Sequence, residues 1–359
     1  MNKHCKQQLE KFGLKAEDIT HVCIAPTLYP LLQYLLLMDD DIAFRHTFYF
    51  VNELIPENVR SHLPCQYLNY FGKEAIHKMY RRVAKLKLRF FKYIDFPFLK
   101  TAEIFAYDLP YGSLCIGNRN YNLLPDAPNC LTLNSQYDSA EYIRMQNHAN
   151  SWVGRLQRMV FGDLFVHYLG HNSQCRAVFM TEENTTPIIE GKAVHVRSLP
   201  SMWSDASEEK KRFIMGLFDI TNDDITLLNS RPNLFFSQPL VNDCGLTETE
   251  YTDILVKIFK NYPTGSVIIK THPRDKFAYS KHFPDILVFS KPISSQLLYI
   301  IGVTPQKIIT ISSTAIEGFP ESIACDYYGI FVHPKIKLYF GDNYKPLRSV
   351  NYKYDHVIP

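Results

Sequence analysis

The sequence lacks the marks of several common protein classes. None of its eight cysteines (5, 23, 65, 115, 130, 175, 244 and 325) forms a Cys-x-x-Cys pair, so a structural zinc site has no ligand spacing to stand on. Eight cysteines in 359 residues are also too sparse for a disulfide scaffold, and reduced thiols in a cytoplasmic protein are expected. The stretch Met1 to Glu10 is polar and has no apolar core of the kind a secretory signal needs. The longest apolar run, Leu31 to Met38, is interrupted by Gln33 and stops at three aspartates, far short of the ~20 residues that span a bilayer. A soluble protein, at most peripheral on a membrane, is the expectation. No charge of one sign dominates either: 39 Lys+Arg stand against 36 Asp+Glu, a net of +3, and no nucleic-acid partner is expected. There is no Walker loop and no Gly-x-Gly-x-x-Gly, which argues against ATPases and dinucleotide oxidoreductases. Fixed-period repeats and low-complexity tracts are absent too. A hydrophobic fraction of 46% excludes disordered and collagen-like chains.

What is present reads as two α/β series. His21 to Thr27 is a short apolar run closed by Pro and Thr, and Leu28 to Met38 continues as a helix. Thr47–Val51, Glu103–Tyr107, Ser113–Gly117 and Tyr121–Leu124 supply further strand candidates. Strands alternating with helical stretches predict a mostly parallel sheet covered on both faces. Residues 200–233 change character: Ser198 to Asp205 is loop-like, Glu208 to Leu217 is charged and amphipathic, and Asn222-Asp-Asp and Asn229 to Asn233 are turn chemistry. A second series follows at Asn233–Ser237, Glu248–Tyr262 (helix), Ser266–Lys270, Ile286–Ser290, Lys307–Ile311, Ala315–Phe319 and Gly329–His333. The expected organisation is a first Rossmann-like domain over 1–225, a second over 226–335, and a tail over 336–359 that packs back on the body.

Open α/β sheets bind ligands outside the carboxyl ends of their strands. One strand there delivers Lys270, His272 and Arg274, with Pro273 stopping it. Arg offers paired donors to phosphate oxygens and His titrates near neutrality, a combination suited to holding and protonating a departing phosphate; a plain strand terminator would read the same. A second strand ends in Ser312, Ser313 and Thr314 before a helix start, where hydroxyls and free N–H groups suit an anion, or form an ordinary N-cap. In the first half, Asp126 follows a strand and could take a proton from an attacking hydroxyl; a turn aspartate is the plainer reading. Residues 73–92 carry eight Lys/Arg against Glu74 alone, interleaved with apolar residues. Such a segment suits an anionic membrane surface or a solvated helix face equally. His167 and His171 lack the following acid of a zinc protease motif. Asp39–Asp41 and Asp223-Asp224 read as solvated acids, and no metal is expected. Asn184-Thr-Thr is a glycosylation sequon by pattern only.

These residues resemble bacterial sialyltransferases of glycosyltransferase family 52, the lipooligosaccharide and capsule enzymes, related to the polysialyltransferases. The resemblance rests on the strand and Thr-bearing loop from His21 to Thr27, on Lys270-Thr-His-Pro-Arg274, and on Ile311-Ser-Ser-Thr-Ala315. It implies a GT-B-like fold of two Rossmann-like domains facing across a cleft. It also implies CMP-sialic acid as donor, inversion at the anomeric carbon, a glycan acceptor on the bacterial surface, and no cofactor or obligatory metal. His272 would be the general acid. Lys270, Arg274, Ser312, Ser313, Thr314 and Thr27 would hold the nucleotide donor. The family's acidic motif falls on Pro125-Asp126-Ala127, where only the central acid remains. Asp243, in Gln238 to Asp243, is a second candidate base. Ser294-Ser295 stands where relatives often carry a glutamate. Another donor such as UDP-glucose, or a degenerate non-catalytic binder, are the alternatives these departures leave. Lipid-linked acceptors would suit a protein peripheral on the inner face of the bacterial membrane.

Overall fold

The computed structural model describes the chain except residues 54, 73–77, 129, 132–135, 182–188, 342–343, 345, 347 and 354–359, and except the side chains of Lys78 and Pro110. The sequon at Asn184 and the start of the basic segment at Lys73 and Glu74 lie outside the described residues. The chain divides into two units, Met1–Leu217 and Phe218–Pro359.

The first unit carries seven strands: β1 (His21–Ala25), β2 (Thr47–Val51), β3 (Cys65–Tyr67), β4 (Glu103–Ala106), β5 (Tyr121–Leu123), β6 (Cys175–Met180) and β7 (Ala193–Val196). They lie in the order β3-β2-β1-β4-β5-β6-β7, each pair parallel. The second unit carries β8 (Asn233–Phe236), β9 (Val267–Lys270), β10 (Leu287–Phe289), β11 (Lys307–Thr310), β12 (Ala324–Tyr327) and β13 (Asn351–Tyr352). Their order is β10-β9-β8-β11-β12-β13, again all parallel. Both sheets therefore repeat the doubly wound order, with the topological switch between β1 and β4 in one and β8 and β11 in the other. Burial on both faces explains the unbroken apolar runs: every residue of β2, β8 and β9 is buried. Each unit has its own core, one around Val22, Phe48, Ile104 and Val178, the other around Phe235, Tyr251, Ile269 and Ile309.

The sequence pattern misreads several local elements. Ser113–Gly117 is not a strand; it belongs to a helix, Pro110–Ile116, with proline in the first turn and Gly117 at φ 64° closing it. A Cβ at Gly117 would meet the Lys92 ammonium at 2.0 Å, so glycine is required there twice over. Ala315–Phe319 and Gly329–His333 are short 3-10 turns, Thr314–Gly318 and Ile330–Val332, and the strand between them is β12. Asn222 to Asn229 is a helix held by a reciprocal cap between Thr221 and Asp224. That helix explains why the units part at Leu217 instead of near 225. Asn229 bonds Gly302 and Thr304, and Asp224 pairs with Lys291 at 2.7 Å, all in the second unit. The tail extends the second sheet as β13, and buried Arg348 donates to the carbonyls of Ile316, Phe319, Pro320 and Ile323. No helix among the described residues is long and apolar enough to cross a membrane.

One buried acid ties the first unit's loops together. Asp108, fully buried after β4, accepts from Tyr121 at 2.6 Å and from the N–H groups of Leu169 and Gly170 at 2.9 Å each. Burial raises its pKa, and those three donors act in the opposite direction. Asp108→Ala would leave a phenol and two amides unpaired, and should cost about 3 kcal/mol in denaturant unfolding without altering the sheet.

Candidate functional site

The candidate residues collect at strand carboxyl ends, in two groups. In the first unit, Thr27 follows β1 and caps no helix N–H with its side chain. Its hydroxyl donates instead to Asp126 Oδ1, on the loop after β5. Thr27 was expected to hold the donor; its placement makes it the partner of the candidate base. Burial raises the Asp126 carboxyl above its ordinary range, and the Thr27 hydrogen bond partly offsets this. A carboxyl tuned upward beside a hydroxyl is a competent proton acceptor nearer neutrality. A cavity of about 410 Å³ in the same unit, beside the edge strand β7, was not anticipated. Gln33, Phe179, His195 and Arg197 are in its lining. Gln33 is buried, its Nε2 donates to the Phe179 carbonyl at 3.0 Å, and its Oε1 has no partner among the described residues.

In the second unit, Lys270 ends β9 and is buried. Its Nζ donates to its neighbour's carbonyl, Thr271 O, at 2.7 Å. No carboxylate pairs with it among the described residues, and burial pulls its pKa from 10.5 to about 7. His272, half-buried beside it, is pushed down to about 4, by burial first and then by the charges of Arg274 and Lys270. Its Nδ1 accepts the Arg274 backbone N–H at 3.1 Å. That bond fixes the neutral ring as the Nε2–H tautomer, so Nε2 carries the proton. Arg274 sets both guanidinium nitrogens on Asp243, at 3.1 and 3.0 Å.

The two loops of this group are stitched by residues that the sequence reading passed over. Ser237 and Gln238 follow β8, the strand between them. Ser237 Oγ accepts the His272 N–H at 3.0 Å and donates to Asp275 at 2.6 Å. Gln238 Oε1 accepts both the N–H of Ser312, at 3.0 Å, and its hydroxyl, at 2.6 Å. Tyr344 donates to the Ser312 carbonyl at 2.9 Å. The strand-end rule applied to β8 would have found Ser237 and Gln238.

Three expectations change with this geometry. Asp243 was a candidate base, and both its oxygens accept from the Arg274 guanidinium. Arg274 was expected to hold phosphate directly, and its fork is occupied by that carboxylate. Ser312 and Ser313 were expected to face an anion from a helix start. Ser312 spends its hydroxyl on Gln238, Ser313 Oγ accepts from Ala315, and the helix is a five-residue 3-10 turn. Thr314 alone of the three is exposed. Ser294 caps the helix Ser295–Ile300, and Gly318 lies so close to Ser295 that a Cβ there would come within 2.5 Å of its hydroxyl. The acidic runs serve caps and ion pairs: Asp40 with Lys210 and Asp224 with Lys291. No group of three metal-ligating side chains occurs among the described residues.

Residues 113–336 match the family model described as glycosyltransferase family 52. An uncharacterized protein of Haemophilus influenzae (strain ATCC 51907 / DSM 11121 / KW20 / Rd) is 31% identical over 206 residues, 57% of this chain and 64% of that relative. The chain thus spans somewhat under two thirds of that relative's length. Among solved structures, an α/β-galactoside α-2,3-sialyltransferase of Photobacterium phosphoreum is similar with a TM-score of 0.54. Its identity is 11%, over 93% of this chain and 98% of that one. The GT-B domain of a Photobacterium damselae sialyltransferase gives 0.52 at 12% identity, over 85% and 90%. A 2,6-sialyltransferase of Photobacterium sp. JT-ISH-224, solved with CMP and lactose, gives 0.57 at 11%, over 86% and 71%. At such identities the likeness is one of fold: α/β, of the GT-B type.

The buried cations make a stability prediction. Lys270 and His272 each bind fewer protons folded than unfolded, so each lowers stability as pH falls. Lys270 acts between 10.5 and about 7, and His272 between 6.5 and about 4. Lys270→Met should raise stability at pH 7 by about 1–4 kcal/mol. It should also flatten the loss seen in urea unfolding between pH 10 and pH 7.

Proposed function

The chain belongs to glycosyltransferase family 52, and from that premise we propose that it transfers sialic acid from CMP-sialic acid, with inversion, to a terminal sugar of a bacterial surface glycan such as a lipooligosaccharide or capsule. The observation that carries this reading is the cation group at the end of β9: buried Lys270, neutral His272 and Arg274 around one loop. Burial holds the Lys270 and His272 pKa values down, and a nucleotide phosphate is the ligand that relieves the strain. Its negative charge would return Lys270 to the ammonium form and draw the His272 pKa upward. Arg274 would exchange the Asp243 carboxylate for phosphate oxygens, to which its fork is equally suited.

In the reaction, Asp126, held by Thr27, takes the proton of the acceptor hydroxyl. The hydroxyl oxygen attacks the anomeric carbon from the face opposite the leaving group, and the bond to the CMP phosphate oxygen breaks. Once the bound phosphate has raised its pKa, His272 takes up a proton at Nδ1, releasing the Arg274 N–H, and as the imidazolium gives its Nε2 proton to the departing phosphate; the Lys270 and Arg274 charges meet the negative charge that develops there. No metal enters this scheme; the side chains supply the cationic charge. The unpartnered Gln33 Oε1 and the His195–Phe179 ring pair, 4.8 Å apart, suit a ligand rich in hydroxyls on the first unit.

Thermal shift with CMP, CDP, UDP and GDP tests the donor. CMP and CDP should stabilise the protein, and Arg274→Ala should abolish the shift. A shift with UDP alone would replace the donor by a uridine nucleotide sugar, and none with any nucleotide would reduce the chain to a non-catalytic member. His272→Ala and Asp126→Asn should each lower turnover ~10²–10⁴-fold with the fold intact by circular dichroism. CMP binding at pH 6 should take up protons, measured by calorimetry in buffers of different ionisation enthalpy, and the uptake should shrink in His272→Ala.

A further inference from the structure

The helix Lys78–Asp95 is built the wrong way round for a helix that merely covers a sheet. Its inward side is Ala84, Leu88 and Lys92, all buried. The Lys92 ammonium reaches the Leu114 carbonyl at 2.6 Å, and burial lowers its pKa to about 8. Its outward side is apolar. Met79, Val83, Leu86, Phe90 and Ile94 are all exposed, and their steps of three and four residues place them in one stripe. Phe90 is 62% exposed, and Phe91 beside the stripe 52%. The 100° step per residue sets Arg82 and Arg89 along one side of that stripe and Lys87 along the other. The helix has seven Lys/Arg and a single acid, Asp95, at its last position.

A second helix, Trp152–Phe161, repeats the arrangement. Trp152 (75% exposed), Leu156 and Met159 form an outward apolar stripe, with exposed Arg155 next to it; Arg158 pairs with Asp163 at 2.7 Å. The two helices are joined where Arg89 Nε donates to the Val160 carbonyl at 2.7 Å, and Lys85 lies over the Phe165 ring just beyond. Monomeric soluble proteins rarely leave contiguous apolar surface of this extent uncovered.

We propose that these two helices dock the first unit onto an anionic lipid surface, lying in the interface plane with their apolar stripes among the acyl chains. Charge selects this occupant. A second copy of the chain would set Arg82, Lys87 and Arg89 against their own copies, whereas anionic headgroups neutralise them, and long Arg and Lys side chains flanking an apolar stripe reach headgroups while their stems stay among the apolar groups. The proposal is independent of which nucleotide sugar the second unit binds.

Co-sedimentation of the full chain with phosphatidylglycerol/phosphatidylcholine vesicles, against phosphatidylcholine alone, tests it. Binding should require phosphatidylglycerol and weaken with salt. Arg82→Gln combined with Lys87→Gln should weaken it about thirty-fold, at ~1 kcal/mol per charge. Leu86→Ser with Phe90→Ser should weaken it further, and since both side chains are exposed, the fold should persist by circular dichroism. With Trp203→Phe, Trp152 is the sole tryptophan, and its emission should shift to the blue on the same vesicles. Absence of binding, equal binding to phosphatidylcholine, or no effect of the charge variant would overturn the proposal. So would a dimer in light scattering that Phe90→Ser dissociates, since a second copy would then cover the face.

Discussion

A parallel sheet buried on both faces has no solvent side on which to keep polar groups, so chemistry has to emerge where the strands end. Both units obey this constraint. Their strands are almost wholly apolar, and Thr27, Asp108, Asp126, Ser237, His272 and Ser312 all fall just beyond a carboxyl end. The doubly wound order then determines which ends are neighbours. In the second unit β8 lies between β9 and β11, so only the residues after β8 can bridge the loops after the other two. Ser237 turns to the His272 loop and Gln238 to the Ser312 loop. Two consecutive residues set the spacing of the whole cation group.

That group is expensive to the fold. An interior lysine with no carboxylate partner among the described residues, and a histidine held neutral by burial first and then by two cations, both oppose folding. Arg274 shows the intermediate solution: Asp243, a carboxylate from the same unit, sits in its fork and satisfies it. Lys270 has the Thr271 carbonyl and the Phe289 ring, 6.0 Å away, and no carboxylate partner among the described residues. Electrostatic stress is therefore concentrated at this loop. Asp126 in the first unit carries the opposite stress, a carboxyl buried enough to resist ionisation.

Much of this was legible from residues alone. The runs at His21, Thr47, Asn233 and Lys307 give β1, β2, β8 and β11 nearly to the residue, because β-branched and aromatic clusters bounded by turn residues have few other readings. Ser113–Gly117 failed because a short apolar run fits a buried helix equally well, and Pro110 and Gly117 decide the matter. The strands β3, β6, β7, β12 and β13 were missed: several are only two to four residues long, and β12 begins on an exposed alanine and includes Asp326. The strand-end positions of His272 and Asp126 could be read because each follows a short apolar run closed by turn residues. The Asp243–Arg274 pair could not, since contacts across 31 residues leave no trace in local pattern. Nor could the Gln238 bridge to Ser312, 74 residues away.

The sequence breaks its own local rules in two places. At β9 it buries cations in the core. On the Lys78–Asp95 helix it buries Lys92 and exposes phenylalanines. Elsewhere the rules mostly agree: caps match helix starts at Thr221 and Thr247, glycines fill most left-handed positions, Tyr70, Leu169 and Asp219 being the exceptions, and apolar periodicity matches the core. Conflicts of this kind cost stability and persist where another requirement imposes them. The first conflict lies at the carboxyl end of a sheet, where small anions are held. The second lies on an outer helix face, too broad and too apolar for a small ligand. The two conflicts therefore differ in kind: one is confined to a single loop, the other spread along an outer helix face.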